Sequence, residues 1–393
     1  MKLSRRKMLI STSSLVAGSL LPEKLLAKPE SINDTAASIL TADPSPDLSQ
    51  AVNLYDIEQL AKARIGKMAY DFIDSGAADE ITVKWNRESF DKIRLKPRVL
   101  TDVSKLDTSV DLFGEKLPYP ILIAPSAYHR IIHPDGEIAT AKGARAAQAL
   151  YVVSSNTTTP IEEIRESSDG PLWFQLYIWD DREKTKELIF KVIENGVTAI
   201  CVTVDTPING SRDRQIKSKF ALPSDVHAPY LSDRAMARGG KIPQTLKPLT
   251  WKDIEWLKSF TKVPVVLKGI LNPDDAELAI QSGASGIIVS NHGGRNLDTL
   301  PATAEVMPFI ADKVKGRVPL LMDGGIRRGT DVVKALAMGA NAVLVGRPPC
   351  YGLGAGGADG VTKVMNMLRN ELEIAMRLCG KPTLKSIDRS VLF

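Results

Sequence analysis

Val318-Pro319-Leu320-Leu321-Met322-Asp323-Gly324-Gly325-Ile326-Arg327-Arg328-Gly329 passes from an unbroken apolar run straight into an aspartate, paired glycines and paired arginines. A short continuous run of Val, Ile and Leu reads as a strand buried on both faces, hence as part of a parallel sheet. Working outward, seven further runs of this kind follow one another: 121–124, 151–154, 172–176, 199–204, 263–267, 286–290 and 342–346. The segments between them carry helical spacing. In 181–196, Leu188, Ile189, Val192 and Ile193 share a face and the charges take the other. Gly196, Gly283 and Gly339 stand where a helix should stop before the next strand. Eight strand–helix units predict a (β/α)8 TIM barrel, preceded by a helical segment. A doubly wound open sheet fits less well, since no G-x-G-x-x-G follows the first strand. After the fourth strand the spacing lengthens over 208–262, rich in Pro, Gly and charge, and this stretch is expected to act as a lid at the catalytic face.

Chemistry in such barrels collects at the C-terminal strand ends. Here all eight ends are polar or glycine-bearing: Ser126 with Ala127 beyond the first, Ser154 and Asn156, Gln175 and Tyr177, Thr203 and Asp205 with Arg212 beyond, Lys268 with Gly269, Ser290 and His292 with Arg295, Asp323 and Gly325 with Arg327, and Gly346 with Arg347. The glycines after strands seven and eight let backbone amides approach an anion, and Arg327 and Arg347 add charge, so a phosphate site is expected there. His292, with Asp205 to orient it, is the candidate proton acceptor. Arg212 and Arg295 offer two guanidinium forks suited to a small carboxylate. Lys268 at a low-dielectric mouth implies an anionic or electron-rich partner.

The chain has 393 residues, 44% hydrophobic and 25% charged, which excludes a mainly disordered polypeptide. Three scattered cysteines exclude a disulfide-built scaffold, and no ligand spacing suggests a metal. The five basic residues and one acid within 1–27 supply four of the five net positive charges, leaving a body of about +1 with no nucleic-acid footprint. Ser4-Arg5-Arg6-Lys7-Met8-Leu9-Ile10 followed by a short apolar stretch has the layout of a twin-arginine export signal, so 1–27 is expected to be a leader, 28–50 a flexible spacer and 51–393 the barrel domain, delivered to the periplasm.

Ser290-Asn291-His292-Gly293-Gly294-Arg295, Asp323-Gly324-Gly325-Ile326-Arg327-Arg328-Gly329, Phe174-Gln175-Leu176-Tyr177 and Thr203-Val204-Asp205-Thr206-Pro207 together resemble the FMN-dependent 2-hydroxy-acid dehydrogenase and oxidase family, from about Asn53 to Ile387. Asn209-Gly210-Ser211-Arg212-Asp213-Arg214 is most similar to the lactate oxidases. The resemblance implies FMN as cofactor and a small L-2-hydroxy acid, L-lactate favoured, as substrate. It implies His292 as base with Asp205 stabilising its charged form, Arg212 and Arg295 on the substrate carboxylate, and Tyr177 on the hydroxyl. Lys268 would stand by the flavin. Ala127, Ser154, Gln175, Thr203 and Ser290 would line the ring and ribityl chain, and Asp323, Gly325, Arg327, Gly346 and Arg347 the ribityl and phosphate end. The electron acceptor implied is oxygen or a respiratory quinone or cytochrome, and the assembly a homotetramer. A related barrel with FMN, the type 2 isopentenyl-diphosphate isomerase, lacks this clamp and His–Asp pair. A flavin-binding protein without turnover is the other alternative.

Two positions depart from the family pattern. Phe72 stands where relatives carry a tyrosine whose hydroxyl reaches the substrate carboxylate, and Asn156 where an aromatic commonly lines the pocket. One hydrogen bond to a charged group is worth about 1.5–3 kcal/mol. Tyr70, two residues back along a helix, faces elsewhere and does not replace it. Phe72→Tyr is therefore expected to lower KM for a small 2-hydroxy acid in steady-state assays, and an unchanged or higher KM would show that the family's carboxylate geometry does not transfer.

Overall fold

The strand-forming runs close on themselves. In a computed structural model, which describes residues 47–230 and 249–393, three helices come first: α1 (Leu54–Arg64), α2 (Lys67–Asp74) and α3 (Ile81–Lys92). A short antiparallel hairpin, β1 (Val110–Leu112) and β2 (Glu115–Leu117), follows. The barrel then alternates β3 (Ile121–Ile123), α4 (Gly136–Ala146), β4 (Tyr151–Ser154), α5 (Ile161–Ser167), β5 (Leu172–Leu176), α6 (Arg182–Glu194) and β6 (Val197–Thr203). Its second half contains α7 (Asp213–Lys217), α8 (Trp251–Phe260), β7 (Val265–Ile270), α9 (Pro273–Gln281), β8 (Gly286–Val289), α10 (Thr303–Val314), β9 (Leu320–Met322), α11 (Gly329–Ala337), β10 (Ala342–Val345) and α12 (Arg347–Leu378). Strands β3 to β10 are parallel neighbours in chain order, and β10 pairs with β3 to close the ring. The predicted eight-unit barrel and its N-terminal helices are thus present.

Alternation along each strand divides the apolar residues between two sides. Leu122, Val152, Trp173, Cys201, Val266, Ile288, Leu321 and Leu344 form one cluster inside the ring, joined from below by Leu112 and Leu117 of the hairpin. Their neighbours, such as Ile121, Val153, Phe174, Val202, Leu267, Val289, Met322 and Val343, belong to a second cluster beneath the surrounding helices. The hairpin is therefore the floor of the barrel, with Phe113 against Trp173 at 5.7 Å between ring centroids. All three cysteines are buried and free.

Several boundaries differ from expectation: β6 starts at Val197 and β9 at Leu320, where the sequence predicts runs beginning at 199 and 318. Strand β7 begins later and continues through Lys268 and Gly269 to Ile270, because the glycine takes φ +113° and absorbs a register shift against β8. Within the expected insertion, α8 is the ordinary barrel helix before β7, opened by a capping box between Thr250 and Asp253. Within the expected spacer, Leu48–Gln50 forms a 3-10 turn capped by Asp47, and Leu48 packs against the core. The expected leader 1–27, the rest of the spacer to 46 and the insertion residues 231–248 lie outside the described residues. Among the described residues no helix is long and apolar enough to cross a membrane.

Because the floor and the mouth are separate tiers, damage to one should spare the other. Leu112→Ala is expected to lower the unfolding free energy by about 2–5 kcal/mol in chemical denaturation, with ligand affinity at the mouth retained.

Candidate active site

Adding two to each inward-facing position named above moves one tier up the barrel. The residues reached are Ala124, Ser154, Gln175, Thr203, Lys268, Ser290, Asp323 and Gly346. At six of the eight strands the switch from apolar to polar thus occurs at this one level, Ala124 and Gly346 being the exceptions. These eight all border a single cavity of about 880 Å3 except Ser290, which is fully buried beside it. The polar members bond to one another. Ser154 Oγ donates to Gln175 Oε1 at 3.1 Å, and Gln175 Nε2 donates to Thr203 Oγ1 at 2.9 Å. Lys268 Nζ lies 3.2 Å from Asp323 Oδ2 and donates to Ser290 Oγ at 2.9 Å. Burial works against the lysine's charge, but the carboxylates of Asp323 and Asp205 outweigh it and raise its pKa, so it is an ammonium.

The next tier contains Asn156, Tyr177, Asp205, His292 and Gly325. His292 Nδ1 and Asp205 Oδ1 are 2.9 Å apart. Burial depresses the histidine's pKa below its ordinary value, with Asp205 opposing and Lys268 and Arg212 reinforcing. Burial pushes Asp205 upward, but His292 and Lys268 leave it net lowered, so it stays ionised. Asp205 needs room beside β7, and Gly269 supplies it: a Cβ there would stand 2.6 Å from the aspartate's Cβ and Cγ. Asn296 and Thr206, which the sequence reading did not single out, complete this pair. Asn296 Nδ2 donates to Thr206 Oγ1 at 2.6 Å and to Asp205 Oδ1 at 3.3 Å, and Thr206 Oγ1 donates to Asp205 Oδ1 at 3.0 Å. Adjacency to Arg295 and Asp205 was the only signal that could have found them. Tyr177 is also at the cavity, its phenol pushed up to about 12 by burial and then by Asp205.

The arginines converge on the C-terminal end of α2. Arg295 Nη1 donates to the carbonyls of Ile73 at 3.1 Å and Ser75 at 2.6 Å, and Arg347 Nη2 to that of Ser75 at 3.1 Å. Arg212 Nε donates to the carbonyl of Arg295 at 2.9 Å, so the two expected clamp residues are coupled through the backbone. Burial, then Arg212 and Arg347 beside it, depress the Arg295 pKa, which marks a mouth where an anion is stabilising. Arg214 fixes the start of the insertion, donating to Glu80 at 2.6 and 2.8 Å and to Asp74 at 2.7 Å. Asp74 also accepts from Tyr351 Oη at 2.7 Å.

Phe72 borders the cavity and stacks on Phe220 with centroids 4.4 Å apart, while Tyr70 turns away and its hydroxyl donates to Glu58 at 3.3 Å. Asn156 borders the cavity with its Oδ1 buried and unbonded. Ala127, Gly325, Arg327, Gly346 and Arg347 border it as well. Every residue expected at the site is therefore brought together. Three features fit a phosphate-bearing flavin. Arg347 Nε and Asp323 Oδ1 are buried without partners. Arg327 is half-buried, and that desolvation lowers its pKa. A Cβ on Gly346 would meet nothing closer than 3.7 Å, leaving an open cradle at the start of α12.

Comparison with known proteins agrees with this geometry. Residues 61–393 match the model of the FMN-dependent dehydrogenase family. The 2-hydroxyacid oxidase of Dictyostelium discoideum is 44% identical over 92% of this chain and 96% of its own. The L-lactate oxidase of a Nostoc species is 44% identical over 88% of this chain and 99% of its own. A mandelate oxidase crystal structure with (S)-2-phenylpropionate superposes with a TM-score of 0.81 at 38% identity, covering 87% of this chain and 98% of that one. The eight-stranded barrel with its polar upper tiers thus belongs to the FMN-dependent dehydrogenase family, and FMN is the cofactor for which the cavity is built.

Proposed function

We propose that the chain oxidises an L-2-hydroxy acid to the 2-keto acid, with L-lactate among its substrates and oxygen as the final acceptor. The observation that carries this reading is the His292–Asp205 pair at 2.9 Å, its histidine bordering one cavity with Arg212 and Arg295. The similarity to an L-lactate oxidase and a 2-hydroxyacid oxidase supports the substrate class and the acceptor.

Bound FMN supplies the two-electron acceptor that the side chains lack. Arg327, Arg347 and Gly346 would hold its phosphate, and Ser154, Gln175, Thr203, Lys268 and Ser290 its ring and ribityl chain. Arg212 and Arg295 receive the substrate carboxylate, whose charge offsets their mutual repulsion. Tyr177, protonated at neutral pH, donates to the substrate oxygen. With Nδ1 facing Asp205, the Nε2 lone pair of neutral His292 takes one proton from the substrate. Asp205 then stabilises the imidazolium that forms, and Asn296 and Thr206 keep its carboxylate oriented. Lys268 offsets negative charge accumulating at the centre of the barrel.

The first test is anaerobic mixing of the flavin-loaded protein with L-lactate and other L-2-hydroxy acids. Bleaching of flavin absorbance, recovering rapidly with peroxide formation when oxygen is admitted, is the expected result. No bleaching by any acid would sink the reading. A second test concerns pH. A base with a depressed pKa should give kcat/KM that rises with pH to a plateau, through a limb below about 6.5, the ordinary histidine value. Asp205→Asn removes the group that holds the histidine's pKa up, so the limb should move to lower pH. The same change is expected to cut kcat by about 10²–10⁴. A limb moving to higher pH would exclude the assigned pairing.

A further inference from the structure

Three aromatic rings from distant parts of the chain make one wall of the cavity. Phe72 comes from α2, Tyr128 from the loop after β3, and Phe220 from the insertion after α7. Phe72 lies 4.4 Å from Phe220 at 17° between planes and 5.5 Å from Tyr128, and Tyr128 lies 6.2 Å from Phe220. Tyr128 is nearly fully buried in a left-handed conformation, φ 60° and ψ 52°, which an L-residue adopts only at a cost. Two backbone bonds hold it there: its N–H donates to the Asn156 carbonyl, and its own carbonyl accepts from Ile131 N, each at 3.1 Å. Strain retained at a cavity wall points to a use for the ring.

The position of the wall relative to the charged groups indicates that use. The Arg295 guanidinium carbon lies 5.3 Å from the Phe72 ring centroid, so the wall begins where the carboxylate would be held. His292 and Tyr177 address the substrate oxygen, leaving the third substituent of the reacting carbon to be accommodated. Ile208 and Ile216 also border the cavity and are 48% and 66% exposed, continuing the apolar surface from the wall toward the mouth. A methyl group would cover little of this surface.

We propose that the Phe72–Tyr128–Phe220 wall is a side-chain subsite that favours 2-hydroxy acids bearing an aryl or extended alkyl group over those bearing hydrogen or methyl. The proposal rests on the 2-hydroxy acid reading above and adds to it the class of side chain. Each methylene taken from water onto the wall should improve kcat/KM by roughly three- to four-fold until the wall is covered.

The test uses the flavin-loaded full chain and the series glycolate, L-lactate, L-2-hydroxyhexanoate and L-3-phenyllactate. A rise in kcat/KM of at least tenfold from L-lactate to L-3-phenyllactate is expected. A separate readout requires no turnover: calorimetric titration should show 3-phenylpropionate binding at least tenfold tighter than propionate. Phe220→Ala should reduce both ratios at least fivefold, and Phe220→Leu, which keeps apolar volume and guards against misfolding of the alanine variant, should reduce them less. Flat ratios in the unaltered protein, or ratios unmoved by Phe220→Ala, would overturn the subsite while leaving the reaction class standing if L-lactate still bleaches the flavin. Failure of every acid to bleach, with 3-phenylpropionate still preferred, would overturn the reaction and keep the subsite.

Discussion

An eight-stranded barrel is just wide enough for its own side chains to fill, and most of this molecule's organisation follows from that constraint. Every second residue of every strand must point inward, so the interior is sorted into tiers two residues apart. The lower tier is apolar and is sealed by Leu112 and Leu117. One step up, the same geometry presents Ser154, Gln175, Thr203, Lys268 and Asp323 to the cavity. A buried lysine is tolerable at that level because Asp323 stands 3.2 Å away and Ser290 accepts a hydrogen bond. The site is a continuation of the core with its polarity changed, held by the same ladders that hold the core.

Above the strands, precision has to come from elsewhere, and it comes from the end of α2. The carbonyls of Ile73 and Ser75 and the carboxylate of Asp74 receive Arg295, Arg347 and Arg214. Helix C-termini attract cations through unsatisfied carbonyls. Here that attraction ties the three segments that follow β6, β8 and β10 to one fixed point. The N-terminal helices are thus part of the site's scaffold, although no strand of the barrel depends on them for pairing.

How much of this is legible in the sequence depends on the range of the interaction. Strands read well because runs such as Val343 to Val345 are apolar on both faces, and the strand-end residues read well because their polarity breaks those runs. His292 and Asp205 are legible as types at the ends of β8 and β6, either side of β7. The exact end of β7 is not, since Gly269 lets the strand continue past Lys268 through a bulge. Arg214 is hidden among other charges of the insertion because its partner Asp74 is 140 residues away. Phe220 carries no local signal either: an aromatic residue in a polar segment acquires meaning only when Phe72 and Tyr128 are placed against it.

Closure of the ring also removes a hazard. Each of the eight barrel strands has a neighbour on both sides, so none presents a row of unpaired amides to another molecule. The remaining free edges among the described strands belong to the three-residue hairpin at the floor, where Asp111 and Lys116 are exposed. Short, charged edges are poor templates for strand addition. Among the described strands, self-association through β-pairing therefore requires one to leave the ring, so the shelf life of a concentrated solution should follow the rate of barrel opening rather than the stickiness of the native surface.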